Sequence, residues 1–153
     1  MSLEKIIQAD IVTAMKEKNE NKLRTLRAIK TTIMELKTSP TFKGNRDAEL
    51  SDADLIKLMQ KMAKERRDVA KVYADNGRTE MADKENIEAS IIEVYLPQPL
   101  TENEIKELVV EAMESVGATS MKDMGKVITY VNGKAAGRAD GKIISTIVKS
   151  LLG

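Results

Sequence analysis

Residues 125–144 read GKVITYVNGKAAGRADGKII, and they are the part of this sequence best suited to chemistry on an anion. Gly125, Gly133, Gly137 and Gly141 are half of the eight glycines in the chain, and Lys126, Lys134, Arg138 and Lys142 each follow one of them. Glycine lets a backbone come close to a ligand, and a neighbouring cation supplies charge for phosphate. A nucleotide P-loop needs Gly, four residues, then Gly-Lys-Ser/Thr. Counting back from Gly141 and Lys142, the first glycine should be residue 136, which is Ala136. Ile143 stands where a hydroxyl must ligate magnesium. The nucleotide-loop reading therefore fails. A phosphate-backbone contact remains, with Lys126, Lys134, Arg138 and Lys142 as the cations and Gly137 and Gly141 permitting close approach. The plainer alternative is that the glycines end one helix and open the next, with the cations as solvated surface.

Charge is segregated in this part of the chain. Between Ala118 and Gly153, six basic residues (Lys122, Lys126, Lys134, Arg138, Lys142 and Lys149) face only Asp123 and Asp140. Between Pro97 and Gly117, Glu102, Glu104, Glu107, Glu111 and Glu114 face only Lys106. A polyanion would meet the basic segment and avoid the acidic one. Asp140 would compete with a phosphate at the helix start it caps. The whole chain carries a net charge of only +1, so no global field draws it to nucleic acid. Two other basic stretches, Lys57 to Lys71 and Lys22 to Lys30, are interrupted or helical in spacing and read as solvated helix faces.

What is missing excludes most catalytic chemistry. There is no Cys, His or Trp. Cysteine nucleophiles, histidine bases, Ser-His-Asp triads and thiolate or imidazole metal sites are impossible. The carboxylate pairs Glu107/Glu111 and Glu111/Glu114 lack the histidines of a di-iron bundle and read as solvated. No catalytic residue, metal ligand or cofactor is assigned. Phe42 is the only phenylalanine, and Tyr130 is the only aromatic residue after Tyr95. Base-stacking platforms are therefore not expected, and any RNA contact must rest on shape and phosphates. Met59, Met62, Met113 and Met124 fall at apolar positions and read as core filling, with a plastic partner groove as the alternative.

The elements that must position these residues are helices throughout. Ile6, Ile7, Ile11, Ala14 and Met15 recur at helical spacing, as do Leu23, Leu26, Ile29, Ile33 and Leu36. TSPTFKGNRD, residues 38–47, is a loop. Ser51 opens a third helix with Leu55, Met59, Met62, Val69 and Tyr73 as its stripe, closed by Gly77 in the left-handed region. Thr79 opens a fourth, carrying Ile87, Ile91, Val94 and Tyr95. YLPQPL stops it, because residues before proline avoid the helical region. Thr101 and Glu104 form a capping box for the fifth helix, which Gly117 ends. Ser120 caps a sixth with Met124, Val127, Ile128 and Val131, and NGKAAGRADG breaks it. Asp140 caps the seventh, with Ile143, Ile144, Ile147, Val148 and Leu151 inward. The expected class is all-α: four helices over 1–96, a proline hinge, then a small three-helix domain over 97–153.

The chain is 42% hydrophobic and 32% charged, the balance of a folded, soluble protein. No apolar run approaches the roughly 20 residues of a membrane span. The charged N-terminus does not suit a signal peptide, so a cytoplasmic location is expected.

Three segments carry a resemblance to a known family: RRDVAKVYADNGR (66–78), IIEVYLPQPLTENEI (91–105) and GATSMKDMGKVITYVNGKAAGRADGKIISTIVKSLL (117–152). With these the chain resembles the YqeY family over nearly its whole length. The resemblance implies a long-helix N-terminal part. It also implies a three-helix C-terminal domain similar to the tail of the B subunit of the tRNA-dependent amidotransferase. That tail is implicated in holding tRNA, while amide transfer happens elsewhere. The tail motif matches here at Gly125, Lys126, Gly137, Arg138, Ala139, Asp140 and Gly141. The implied role is a non-catalytic tRNA-binding accessory protein. The alternative is an interaction module for an amidotransferase or translation component. A carbon–nitrogen ligase label would rest on the shared tail alone, and a shared domain does not transfer a reaction.

Overall fold

A computed structural model describes residues 1–153. The protein is all-α, with helices α1 (Leu3–Lys16), α2 (Glu20–Thr38), α3 (Asp52–Asp75), α4 (Thr79–Glu93), α5 (Glu102–Val116), α6 (Met124–Ala135) and α7 (Gly141–Leu152). A short 3-10 turn, Met121–Asp123, precedes α6. The chain divides into two compact units, Met1–Leu96 and Pro97–Gly153.

The first unit packs α1 to α4 around Ile7, Leu26, Ile29, Leu55, Met59 and Ile92, all fully buried. Local chemistry starts α1, α2 and α3, whereas α4 begins at Thr79 behind Arg78 without a side-chain cap. The side chains of Ser2, Asn19 and Ser51 accept hydrogen bonds from amides three residues on, satisfying donors that a helix start leaves open. Gly77 takes φ +74° after α3, the left-handed conformation that glycine adopts without a Cβ penalty. Glu4 secures the return of the long loop: its carboxylate accepts from Lys37 Nζ at 3.1 Å and from the Leu50 amide at 2.7 Å.

The helix α4 departs from the expected stripe. Ile87 is 45% exposed and Val94 is 80% exposed, while Ala82, Ala89 and Ile92 are buried. On α3, Ala63 and Ala70 are buried and Val69 is exposed. The two helices run against each other along their lengths. Each helix buries alanines beside its larger core residues, and such small side chains let helix backbones approach closely. Arg66 and Arg67 border this contact. Arg66 Nε donates to Glu88 at 3.3 Å, and Arg67 reaches Glu93, Asn86 and Ser90.

In the second unit α5, α6 and α7 enclose Ile105, Val109, Val127, Val131, Ile144 and Val148. Thr101 and Glu104 make the reciprocal capping box, and Gly117 ends α5 at φ +66°. Ser120 does not cap α6 as expected. The 3-10 turn intervenes, and Asp123 accepts a hydrogen bond from the Thr119 amide at 3.0 Å. The break after α6 also falls later than the glycine pattern suggests. Gly133 is an ordinary helical residue, and the left-handed positions are Ala136 (φ +47°) and Gly137 (φ +80°). Asp140 caps α7 as expected, accepting from the Lys142 amide at 2.8 Å. Ile143 and Leu151 are exposed rather than inward. A 12-residue helix against two neighbours buries a stripe of Ile144, Ile147 and Val148, and its flanking apolar residues lie outside that stripe.

Candidate nucleic-acid interface

The structure separates the tail cations into two groups. Lys126 and Lys142 are exposed, and neither has a carboxylate within 4.0 Å. The same holds for Lys122 and Lys149, which the glycine motif does not mark. Lys142 and Lys149 lie seven residues apart on α7, within about 20° of one face and about 10 Å along the axis. No acidic residue occurs between Gly141 and Gly153. The signal that finds Lys149 is helical spacing from Lys142, which glycine adjacency does not register.

Lys134 and Arg138 have neighbours inside the unit. Lys134 Nζ lies 5.8 Å from the centre of the Tyr130 ring, a cation–π contact one turn along α6. The Tyr130 hydroxyl donates to Glu111 of α5 at 2.9 Å, so Lys134 leans toward the acidic helix. Arg138 is half-buried; its Nε donates to the Gln98 carbonyl at 2.7 Å. The Glu104 carboxyl is held below its ordinary range, first by the hydrogen bonds from Thr101 and further by the charge of Arg138.

The two acids of the basic segment are both engaged by backbone. Asp123 accepts from Thr119, and Asp140 accepts from Lys142. Each therefore offers less of its carboxylate to the lysines nearby. The glycines differ in kind. Gly137 is required by its positive φ. Gly125, Gly133 and Gly141 have no positive φ, and a Cβ at any of them would meet open space. The fold of the unit does not require glycine at those three positions.

The first unit closes some of its cations into ion pairs and intersperses the rest with acids. Arg24 and Arg66 both bind Glu88, at 3.1 and 3.3 Å, Arg67 binds Glu93 at 2.6 Å, and Lys37 binds Glu4 at 3.1 Å. On the outer face of α3, Lys61 and Lys64 pair with Glu65 and Asp68 one turn on. In the second unit the one ion pair is Lys106 with Glu102, on the acidic helix. The unneutralised cations of the C-terminal unit are thus on α6, α7 and the turn before them.

The family described as Yqey-like protein matches residues 4–152. The chain belongs to the YqeY family. A relative in Pyrenophora tritici-repentis (strain Pt-1C-BFP), altered inheritance of mitochondria protein 41, mitochondrial, is 30% identical over 152 residues. The match spans 96% of this chain and 79% of that relative. The YqeY match includes both units, so α6, α7 and their lysines lie inside the family region rather than in an appended tail. No helix of this YqeY protein is long and apolar enough to cross a membrane, and no three metal-ligating side chains are grouped to hold an ion.

Proposed function

We propose that this YqeY protein is a non-catalytic accessory protein that holds tRNA, or a tRNA-bearing complex, on the α6–α7 side of its C-terminal unit. The observation that carries this reading is the segregation of charge within the C-terminal unit. Lys122, Lys126, Lys142 and Lys149 face solvent without a carboxylate partner, and the only two acids between Ala118 and Gly153, Asp123 and Asp140, are engaged by backbone amides. The acidic face of α5, with Glu107, Glu111 and Glu114 exposed, repels a polyanion and so favours approach from the α6–α7 side. The resemblance to the amidotransferase tail names tRNA among polyanions. Lys126 and Lys142 are the central phosphate contacts, with Lys134 and Arg138 at the edge and Gly137 and Gly141 in the turn between. The reading assigns the chain no reaction and places it in the cytosol.

The test compares two triple variants of equal charge change. Lys126, Lys142 and Lys149 to Gln is expected to weaken tRNA binding at low salt by well over tenfold. Lys57, Lys61 and Lys71 to Gln, on α3, is expected to leave it near wild type. Equal affinities for the two variants would reject the site.

A second reading is favoured by one observation on the first unit. Ile87, Ile91 and Val94 line a shallow groove on α4 with Asp83, Asn86 and Ser90, and two of these apolar side chains are well exposed. That face suits a protein partner, such as an amidotransferase or translation component. Capture of one such component that survives RNase and is lost on Val94→Asp would support it; loss on RNase treatment would count against it.

A further inference from the structure

The segment that leads into the second unit is fastened to the turn that carries Arg138. Arg138 Nε donates to the Gln98 carbonyl at 2.7 Å. Two residues on, the Leu100 amide donates to the Arg138 carbonyl at 2.8 Å. This spacing gives residues 97–100 one edge that bonds to Arg138. Pro97 and Pro99, which have no N–H to satisfy, take the other edge. Arg138 is itself held in place, since its amide donates to the Ala135 carbonyl at 2.9 Å behind the left-handed pair Ala136 and Gly137.

One residue therefore belongs to two structures. It anchors the tether, and it stands in the basic turn between Lys134 and Lys142. Its partner in the tether is a neutral carbonyl, engaged through a single N–H. A phosphate is a stronger acceptor for guanidinium and takes two parallel N–H groups at once. The site at the turn is only half-buried, so a ligand on α6–α7 has access to it.

We propose that Arg138 is a latch: a phosphate-bearing ligand on α6–α7 draws its guanidinium from the Gln98 carbonyl and so loosens residues 97–100. This rests on the tRNA-binding reading above and adds its regulation. With the latch closed, the tether is part of the C-terminal unit as far back as Gln98. With it open, the ordered chain begins at the Thr101 cap. Occupancy of the basic face is thereby converted into freedom of the tether.

Amide hydrogen exchange on the full chain, with and without unfractionated tRNA at low salt, tests the latch. Saturating tRNA is expected to speed exchange at Leu100 by roughly tenfold, the effect of losing one ordinary hydrogen bond. Exchange at Val131 and Ile144, in the core of the unit, is expected to stay unchanged and reports that the fold is intact. Arg138→Ala should exchange fast at Leu100 from the start and respond no further. Arg138→Lys keeps the charge but loses the planar Nε donor; it should exchange at Leu100 as the Ala variant does, with and without tRNA. If tRNA binds and Leu100 is unchanged or slower, the latch is overturned and the binding reading stands. If tRNA does not bind, both fall.

Discussion

Gly133 and Gly137 are four residues apart, and the same substitution should move the stability of the C-terminal unit in opposite directions. Gly133 is an interior residue of α6 without positive φ, and a Cβ there would meet open space. Glycine in a helix interior is about 0.8–1.0 kcal/mol less favourable than alanine, so Gly133→Ala should stabilise the unit by about 1 kcal/mol. For a unit of this size that corresponds to a rise of roughly 4–8 °C in its transition temperature. Gly137 holds φ +80°, where a Cβ is strained. Gly137→Ala should cost about 1–2 kcal/mol, the penalty for a left-handed L-residue. The assay is exchange protection at the buried amides of Val131 and Ile144, which isolates this unit from the other. If Gly133→Ala destabilises, a Cβ meets something after all. If Gly137→Ala is neutral, the turn is not held left-handed. Either result refutes the assignment of the turn to Ala136–Gly137.

Three further outcomes follow from particular contacts. The Tyr95 hydroxyl donates to Asp10 at 2.5 Å, and burial first, then Asp10, raises the tyrosine pKa above its ordinary value near 10. Tyr95→Phe should cost about 1.5–3 kcal/mol in urea denaturation at neutral pH. A raised folded pKa means the tyrosine's contribution is whole below pH 10 and is lost as pH rises through the folded value, so the gap between wild type and variant should narrow above about pH 10. Glu88 is 13% exposed and is shared by Arg24 and Arg66; Glu88→Gln should lower stability by about 2 kcal/mol, between a surface pair and a buried one, seen as a lower urea midpoint at unchanged slope. Ala136→Gly should stabilise the second unit by about 1 kcal/mol, because Ala136 holds φ +47° at the end of α6; thermal unfolding checks it.

Helix number and class were legible because the apolar spacing is helical throughout and most helices are announced by chemistry that acts locally. Ser51, Thr101 and Asp140 cap where their side chains predict, and Gly77 and Gly117 close helices in the left-handed region. The misreadings share one cause, which is tertiary. Apolar bulk on α4 points to Ile87 and Val94, whereas the side that is buried carries Ala82, Ala89 and Ile92. Alanine suits either a surface or a close contact, so its side is decided by the neighbouring helix. At the end of α6, Gly133 attracted the break, yet the chain turns at Ala136, a residue whose type does not favour positive φ. The basic residues at the tail were legible as a set. Their division was not: Arg138 is drawn to Gln98 and Lys134 to the ring of Tyr130, through contacts that local spacing does not reveal. Lys149 gains importance from its alignment with Lys142 on a helix without acids.

The central claim is that solvated, unpaired cations on α6, α7 and the preceding turn meet a phosphate backbone. The most direct measurement is the salt dependence of tRNA affinity for the wild-type chain and for the Lys126, Lys142 and Lys149 to Gln variant. About four phosphate contacts predict a log–log slope near −3 to −4 for the wild type. The triple variant should lose about one unit of slope per lysine where binding can still be followed. A wild-type slope near zero, or a variant slope equal to the wild type, would contradict the account.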